Sequence, residues 1–181
     1  MDHLARLASP LGPLVMTADD SGLTGLWFEG QRFSPAAFPP GIRESDDLPV
    51  FLLTSKWLSL YFRGLDPGFT PPLHLNASPF RKAVWSLLLS IPYGETRTYG
   101  DIAAEMTSSS VSRTRISPRA VGGAVGHNPV SLIIPCHRVI GASGRLTGYA
   151  AGLDRKARLL ALEQGKSRLD EPPVLPGSSA P

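Results

Sequence analysis

The sequence predicts an α/β protein built from two small domains, and three observations support this fold class. The chain has 181 residues, 42% of them hydrophobic, which is enough for one packed core or two small ones that share an interface. Short β-type runs fill its first 28 residues, whereas helical patterns with clear start signals dominate after residue 78. Prolines cluster near residues 71–78, so we place domains at 1–77 and 78–167.

The first part of the chain predicts a β-hairpin followed by a helix. Residues 11–16 and 23–28 have the composition of short strands, and the polar segment 19–22 between them suits a turn. Residues 34–49 hold several prolines and acidic residues, which favours a surface loop. Residues 50–62 then place aromatic and leucine side chains at helical spacing, so we expect a helix that covers the sheet.

The second part predicts three helices, each with a recognisable beginning. Ser78–Pro79 and Ser117–Pro118 both combine an N-cap serine with a first-turn proline, and Thr98 can cap a helix between them. Residues 107–114 are rich in serine and lack periodicity, which predicts a loop between the second and third helices. Two short helices joined by a loop have the outline of a helix-turn-helix.

The third of these helices carries almost no side-chain bulk. Its sequence includes Ala120, Gly122, Gly123 and Ala124. Each helical glycine costs roughly 1 kcal/mol relative to alanine, and this cost is tolerated where another backbone approaches closely. The approaching group is either a neighbouring element of the same protein or a nucleic acid, and the composition leaves both interpretations open.

The charge of the chain is unevenly distributed. Residues 1–80 hold five lysines and arginines against eight acidic residues, whereas residues 81–181 hold thirteen against seven. Ten of those thirteen basic residues are arginines, the side chain best suited to phosphate groups and to insertion among bases. The second part is therefore the candidate for contact with a polyanion, with a solvated basic surface as the alternative.

Cys136 is the one cysteine of the chain, which excludes an intramolecular disulfide. With four histidines beside it, the ligands for a structural zinc are few, and we predict no metal. We interpret residues 130–134 as a buried strand, which would put Cys136 at a strand exit. His137 and Arg138 follow directly, and nearby positive charge lowers the pKa of a thiol, as a nucleophile requires. The alternative is a small buried hydrophobic residue.

Two features of the chain bear on its location. Its apolar runs fall short of the roughly 20 residues needed to span a bilayer, and residues 1–20 lack the basic start and long apolar stretch of a signal peptide. We therefore expect a cytoplasmic protein with no membrane partner. The segment 168–181, rich in proline, glycine and serine, is expected to be a disordered tail.

Two runs of the second part resemble the O6-alkylguanine-DNA alkyltransferases, also called methylated-DNA–protein-cysteine methyltransferases. They are Ile-Pro-Cys-His-Arg-Val-Ile-Gly at 134–141 and Gly-Arg-Leu-Thr-Gly-Tyr-Ala-Ala-Gly-Leu at 144–153. Further matches are Phe80, Val84–Trp85, Ile91–Thr96 and Arg119–Gly122. The resemblance covers roughly residues 78–167 and is weaker before them. It implies a ribonuclease-H-like α/β domain followed by a winged helix-turn-helix domain that carries the reactive cysteine.

The resemblance implies a set of catalytic residues and no cofactor. Cys136 would take the alkyl group from guanine O6 and keep it as a thioether, so the protein would act once. His137 would take the thiol proton through a water, Glu163 would orient the imidazole, and Tyr99 would donate a proton to the departing base. Asp154 competes with Glu163 by charge alone. Without the resemblance, Glu163 is interpreted as an exposed helical carboxylate and Tyr99 as a core tyrosine.

The resemblance also implies how double-stranded DNA is bound. Arg119 would fill the place of a base flipped out of the duplex, which costs a few kcal/mol of stacking and pairing. Ala120, Gly122 and Gly123 would let the third helix lie against the minor groove. Asn128 would brace the turn between this helix and the cysteine.

The glycine-rich segment 141–152 is expected to form the base pocket. Tyr149 would line its wall, the backbone carbonyls of Cys136 and Val139 would bind the exocyclic amine of guanine, and the amide of Ala150 would face O6.

The expected function is DNA repair by irreversible, single-turnover dealkylation of O6-alkylguanine, and also of O4-methylthymine, by a monomer. A non-catalytic lesion sensor of the same fold and a cysteine hydrolase are the alternatives, and the presence of Cys136 argues against the sensor. Residues 107–118 exceed the usual family length and carry Arg113 and Arg115, which suits either added phosphate contacts or a loop without a role.

Overall fold

The computed structural model describes residues 2–38, 40–109, 115–166 and 168–169. Its first part contains β1 (His3–Leu7), β2 (Leu14–Asp19), β3 (Gly22–Phe28), β4 (Arg43–Glu44) and α1 (Pro49–Phe62). The second part contains α2 (Pro79–Leu89), β5 (Arg97–Thr98), α3 (Tyr99–Ser108), α4 (Pro118–Gly126), a 3₁₀ turn (Cys136–Arg138), β6 (Val139–Ile140), a second 3₁₀ turn (Ala142–Gly144) and α5 (Leu153–Glu163).

The first part is a four-stranded sheet with strand order β3-β2-β1-β4. The predicted hairpin is confirmed as the antiparallel pair β2–β3, and the Asp19 carboxylate closes its turn by accepting the N–H groups of Ser21 and Gly22. Strand β1, which pairs antiparallel with β2, was not predicted from the sequence. Strand β4 pairs in parallel with β1 over two residues, within the segment predicted to be a continuous loop.

Helix α1 covers this sheet as predicted, beginning at Pro49. Its buried face includes Phe51, Trp57, Leu58 and Tyr61, all at most 5% exposed, and the helix contacts both β2 and β3. Through this face, α1 contacts buried polar side chains of the second part of the chain.

The three predicted helix starts of the second part are confirmed by their caps. Ser78 accepts the N–H of Arg81, Ser117 accepts that of Ala120, and Thr98 forms a reciprocal capping box with Asp101. Helix α3 extends to Ser108, two residues into the predicted loop, and residues 110–114 of that loop lie outside the described part of the chain.

The strand predicted at residues 130–134 is wrong. Only Val130 forms a bridge, with Leu26 of β3, and the residues after it form tight turns in which Leu132 adopts a left-handed φ of 71°. The segment is buried throughout, and a short buried apolar run does not by its pattern distinguish a strand from a turn. Cys136 therefore begins a 3₁₀ turn instead of leaving a strand.

One continuous apolar core joins the two parts. Its members come from the sheet, from α1 and from every helix of the second part, and they include Leu169 inside the segment predicted as tail. Residues 170–181 lie outside the described part. Among the described residues, no helix combines the length and the apolar character that crossing a membrane requires.

Candidate active site

Cys136 follows the helix-turn-helix closely in the chain, and the side chain of Asn128 links the two. Asn128, two residues beyond α4, donates its side-chain amide both to the carbonyl of Ile134 (2.8 Å) and to the sulfur of Cys136 (3.1 Å). Its side-chain oxygen accepts the N–H of Val130 (3.0 Å). The buried Asn128 side chain thus fastens the end of α4 to the segment that presents the thiol, at the position where the sequence predicted a brace.

The thiol is protonated at neutral pH, contrary to the expectation from its neighbours. Burial raises the pKa of the Cys136 thiol, and the hydrogen bond from Asn128 and the charge of Lys156 oppose this only in part. The neighbouring side chains do not supply the expected effect because Arg138 is bonded to Glu163 and burial lowers the pKa of His137, which keeps the imidazole neutral.

His137 and Glu163 form a fully buried pair. The Nε2 of His137 lies 2.6 Å from Oε1 of Glu163, and neither side chain is exposed to solvent. A carboxylate at this distance holds the proton on Nε2. The Nδ1 atom of the same ring is buried without a partner among the described residues, so its lone pair is available as a base.

Glu163 is a buried anion surrounded by donors. Burial alone would raise its pKa, but the hydrogen bond from His137 and the hydrogen bonds and charge of Arg138 outweigh burial and lower the pKa to about 2. Arg138 contacts both carboxylate oxygens (2.9 and 3.1 Å), and the N–H of Gly94 reaches Oε2 (3.0 Å). The interpretation of Glu163 as an exposed carboxylate is therefore wrong. Asp154 is exposed in the first turn of α5.

The sequence analysis missed Tyr61, which reaches this pair from α1. Its hydroxyl donates to Oε1 of Glu163 (2.7 Å) and lies 3.1 Å from Nε2 of His137. The ring stacks on Trp57 with centroids 5.0 Å apart. An aromatic residue in a predicted amphipathic helix gives no signal of this role, because the partners are 76 and 102 positions away in the chain.

Lys156 is a second buried residue that was not predicted from the sequence, although its position in the pattern of α5 could have indicated it. It is fully buried, and its ammonium group donates to the carbonyls of Val139 and Thr147. Burial lowers its pKa to about 8. Lys156, Leu159 and Glu163 are spaced by three and four residues, so two charged side chains share the apolar face of α5, which an amphipathicity analysis would have identified.

A cleft of about 550 Å³ lies where α3, α4 and the segment 147–150 meet. It is lined by Arg32, Phe33, Tyr99, Pro118, Arg119, Gly122, Gly126 and the segment 147–150. The Tyr99 hydroxyl donates to the carbonyls of Gly148 (3.1 Å) and Thr147 (3.3 Å). Burial raises the pKa of Tyr99, and a negative charge on Cys136 raises it further.

The predicted pocket residues lie at this cleft or beside it. Tyr149 and Ala150 line it, whereas Val139 is buried and its carbonyl accepts a hydrogen bond from Lys156. A side chain at Gly148 would come within 3.1 Å of the Tyr99 hydroxyl, and its φ of 55° also favours glycine. Among the described residues, no group of three or more His, Cys, Asp or Glu side chains is placed to hold a metal ion.

The exposed face of α4 borders the same cleft. Arg119, Ala120 and Gly123 are exposed, whereas Val121 and Ala124 are buried against the core. A Cβ at Gly123 would meet nothing within 4 Å, so internal packing does not require glycine there. Arg119 forms no ion pair with any described carboxylate. The face is therefore open to an external partner.

A helix-turn-helix followed in the chain by a buried cysteine and a buried His–Glu pair is typical of a DNA-binding protein that reacts through a thiol. Family models identify which one. The model described as "6-O-methylguanine DNA methyltransferase, ribonuclease-like domain" matches residues 4–75, and that described as "6-O-methylguanine DNA methyltransferase, DNA binding domain" matches residues 79–165. The chain belongs to the 6-O-methylguanine DNA methyltransferase family, and its α/β fold joins these two domain types.

Individual relatives cover nearly the whole chain. The methylated-DNA–protein-cysteine methyltransferase of Mycobacterium tuberculosis is 41% identical over 170 residues, which are 94% of this chain and 97% of the relative. That of Methanosarcina acetivorans is 42% identical over 162 residues, covering 89% and 97%. The crystal structure of Mycobacterium tuberculosis OGT in complex with DNA superposes with a TM-score of 0.78 at 40% identity, covering 93% of this chain and 96% of that one.

Proposed function

We propose that the protein repairs alkylated DNA by transferring the alkyl group of O6-alkylguanine to the sulfur of Cys136. It is a methyltransferase whose acceptor is its own single cysteine. The observation that carries the proposal is the setting of Cys136. Asn128 donates an amide N–H to its sulfur, and the next residue, His137, has a buried Nδ1 without a partner among the described residues. Tyr99, whose pKa is raised by burial and by a charge on Cys136, lines a cleft of about 550 Å³. That volume lies within the roughly 300–1,000 Å³ of small-molecule sites.

The reaction begins with proton removal from a neutral thiol. Nδ1 of His137 takes the Cys136 proton through a water molecule, and the adjacent Glu163 carboxylate stabilises the imidazolium that forms. The low pKa of Glu163 keeps this carboxylate ionised throughout the physiological range. Because the thiolate exists only while the base holds its proton, the sulfur is protected from other electrophiles between encounters.

The thiolate then attacks the alkyl carbon. A carbon–sulfur bond forms, the bond between that carbon and guanine O6 breaks, and its electron pair stays on the base. Tyr99, whose hydroxyl points into the cleft wall, donates a proton to the guanine ring as the negative charge develops. A thioether is a poor leaving group, and the site contains no group that reverses the step, so each molecule reacts once.

DNA binding brings the alkylated base into the cleft. The exposed face of α4 lies against the minor groove, the damaged nucleotide is extruded into the cleft, and Arg119 occupies the vacated place in the stack. O4-methylthymine is accepted by the same chemistry, and one copy of the chain suffices. The presence of Cys136 disfavours a non-catalytic lesion sensor, because a sensor needs no acceptor.

Duplex DNA labelled on the O6-methyl group distinguishes this function from the alternatives. We expect the label on the peptide that contains Cys136, with one methyl group per protein by mass. A sensor would leave the label on the DNA, and a hydrolase would release it into solution. Cys136→Ala should abolish transfer and still bind the duplex, and transfer by that variant would place the acceptor elsewhere.

A second experiment tests the role of Arg119. Arg119→Ala should slow transfer from duplex DNA far more than transfer from free O6-methylguanine, because the free base needs no extrusion. Equal slowing on both substrates would contradict the stack-filling role.

A further inference from the structure

Two residues of the first part of the chain, Arg32 and Phe33, lie at the cleft together with Arg119. We refer to residues 31–33 as the rim corner. It follows β3, and none of the roles described above includes it. Both Arg32 and Phe33 are exposed, with Phe33 at 48%.

The rim corner is tightly anchored to the cysteine-bearing part. The buried side-chain oxygen of Gln31 accepts the N–H of Phe28 and the hydroxyl of Ser131, each at 3.1 Å. The N–H of Arg32 donates to the carbonyl of Ala150 at 3.0 Å. These hydrogen bonds hold the backbone of the rim corner in place without a bound ligand.

Phe33 adopts an unusual backbone conformation in this corner. Its φ of 65° is left-handed, which is a costly conformation for a bulky residue and clusters at functional sites. The ring stacks on His127 at the end of α4, with centroids 4.2 Å apart and planes at 27°. This ring stacking links the rim corner to the end of α4, the helix proposed to lie against the minor groove.

The Phe33 ring positions a guanidinium. The Arg32 guanidinium carbon lies 4.7 Å from the centroid of that ring, within the range of a cation–π contact. Arg32 forms no ion pair with a described carboxylate, although the first 80 residues carry a net negative charge. An arginine without an acidic partner, stacked so that its N–H groups remain free and placed beside Arg119, is suited to a phosphate.

We propose that Arg32 binds a backbone phosphate of the DNA strand that carries the extruded nucleotide, with its guanidinium held at the rim by Phe33. The first part of the chain thereby contributes directly to DNA binding. This inference rests on the proposed function, because it assumes that the cleft receives DNA. The partner is a phosphodiester and not an acidic protein surface, since Arg32 shares its cleft with the base-binding segment 147–150.

The salt dependence of binding tests the contact. Each phosphate that a protein neutralises contributes about 0.9 to the slope of log affinity against log salt. In a Cys136→Ala background, where no transfer occurs, Arg32→Ala should make the slope for a methylated duplex shallower by about 0.9. Between 50 and 200 mM salt this is a roughly 3-fold smaller loss of affinity. Arg63→Ala, which removes an exposed arginine outside the cleft, should leave the slope unchanged.

Two further variants separate charge from positioning. Arg32→Lys keeps the charge, so the slope should stay while affinity falls. Phe33→Gly tolerates the left-handed backbone but removes the ring, and it should also weaken binding with an unchanged slope. An unchanged slope for Arg32→Ala, or an equal change for Arg63→Ala, would overturn the inference. Failure of the Cys136-containing protein to accept a methyl group would instead overturn the proposed function.

Discussion

At the scale of single residues, the proposed chemistry depends on keeping Cys136 and His137 neutral while Glu163 is charged. Burial raises the pKa of the thiol and lowers that of the imidazole, whereas Arg138 and His137 lower that of Glu163 to about 2. Such a site differs from a preformed thiolate–imidazolium pair, in which the charges exist before substrate arrives.

A pH titration of the resting protein checks this charge state. We expect no thiolate absorbance from Cys136 at pH 7–8, because its pKa is raised above the ordinary value of 9.0. The transfer rate should stay constant as pH falls through 6.5, since the lowered pKa of His137 keeps its base form. A thiolate signal at neutral pH would contradict the burial argument, with Cys136→Ala as the spectral blank.

Glu163→Gln removes the carboxylate that supports the imidazolium. We expect transfer from the free base to slow by about 100-fold or more, the contribution typical of an oriented general base. The variant also leaves Arg138 buried without its anion, at a cost of roughly 3–5 kcal/mol, so rates are compared where circular dichroism shows folded protein. Asp154→Asn on the same helix should react at the normal rate.

Tyr61→Phe removes the hydroxyl that donates to Glu163 and contacts Nε2 of His137, and it keeps the ring. We expect a loss of roughly 1–3 kcal/mol in the free energy of unfolding and transfer slower by about five-fold, measured by denaturant titration and single-turnover kinetics. Tyr93→Phe is the matched control, because the Tyr93 hydroxyl is buried without a partner among the described residues and the two rings are in edge contact. Equal effects of the two substitutions would show that the Tyr61 hydroxyl does not support the pair.

At the scale of elements, the sequence predicted an element correctly where the groups that stabilise it are close together in the chain. The side-chain caps of α2, α3 and α4 each lie within three residues of the N–H that they accept, and all three were predicted. Strand β1 was missed and a strand at 130–134 was wrongly predicted, because strands depend on pairing partners. Near Leu132, contacts from β3 and Asn128 decide the backbone, and these are invisible in a local pattern.

The glycine at position 123 of α4 provides a test at this scale. Gly123→Ala should raise the free energy of unfolding by up to about 1 kcal/mol, because alanine favours the helix and no neighbour obstructs its methyl group. The same methyl group should weaken duplex binding if the helix lies against a groove. Thermal unfolding and duplex titration measure both effects, with transfer from the free base as the control that should not change.

At the scale of the whole molecule, the residues of the candidate site that are neighbours in the chain were predicted from the sequence, and some of those that are distant in the chain were not. Cys136, His137 and Arg138 are neighbours in the chain, and the motif around them identified the family. Tyr61 was not accessible to such reasoning, because folding alone brings it to Glu163 across 102 positions. The rim corner was likewise missed, since only the packed structure shows that a loop after β3 reaches the cleft.

The buried site should make the folded protein sensitive to acid in two stages. The folded state resists protonation of His137, so stability begins to fall as pH drops below 6.5, where the unfolded chain takes up its proton. Glu163 adds a second loss between its ordinary pKa of 4.5 and about 2, on the order of 3 kcal/mol. Denaturant titrations at several pH values measure both stages, and Glu163→Gln should lack the lower one.

The contact between Tyr61 and Glu163 restricts how this protein can be recombined with its relatives. A chimaera that takes its first 77 residues from another member inherits that member's side chain at position 61, whereas the carboxylate stays with the recipient. Only donors that bring a hydroxyl to this position will preserve this hydrogen bond, so matching the apolar core between the two parts is not enough to keep the buried carboxylate fully supported.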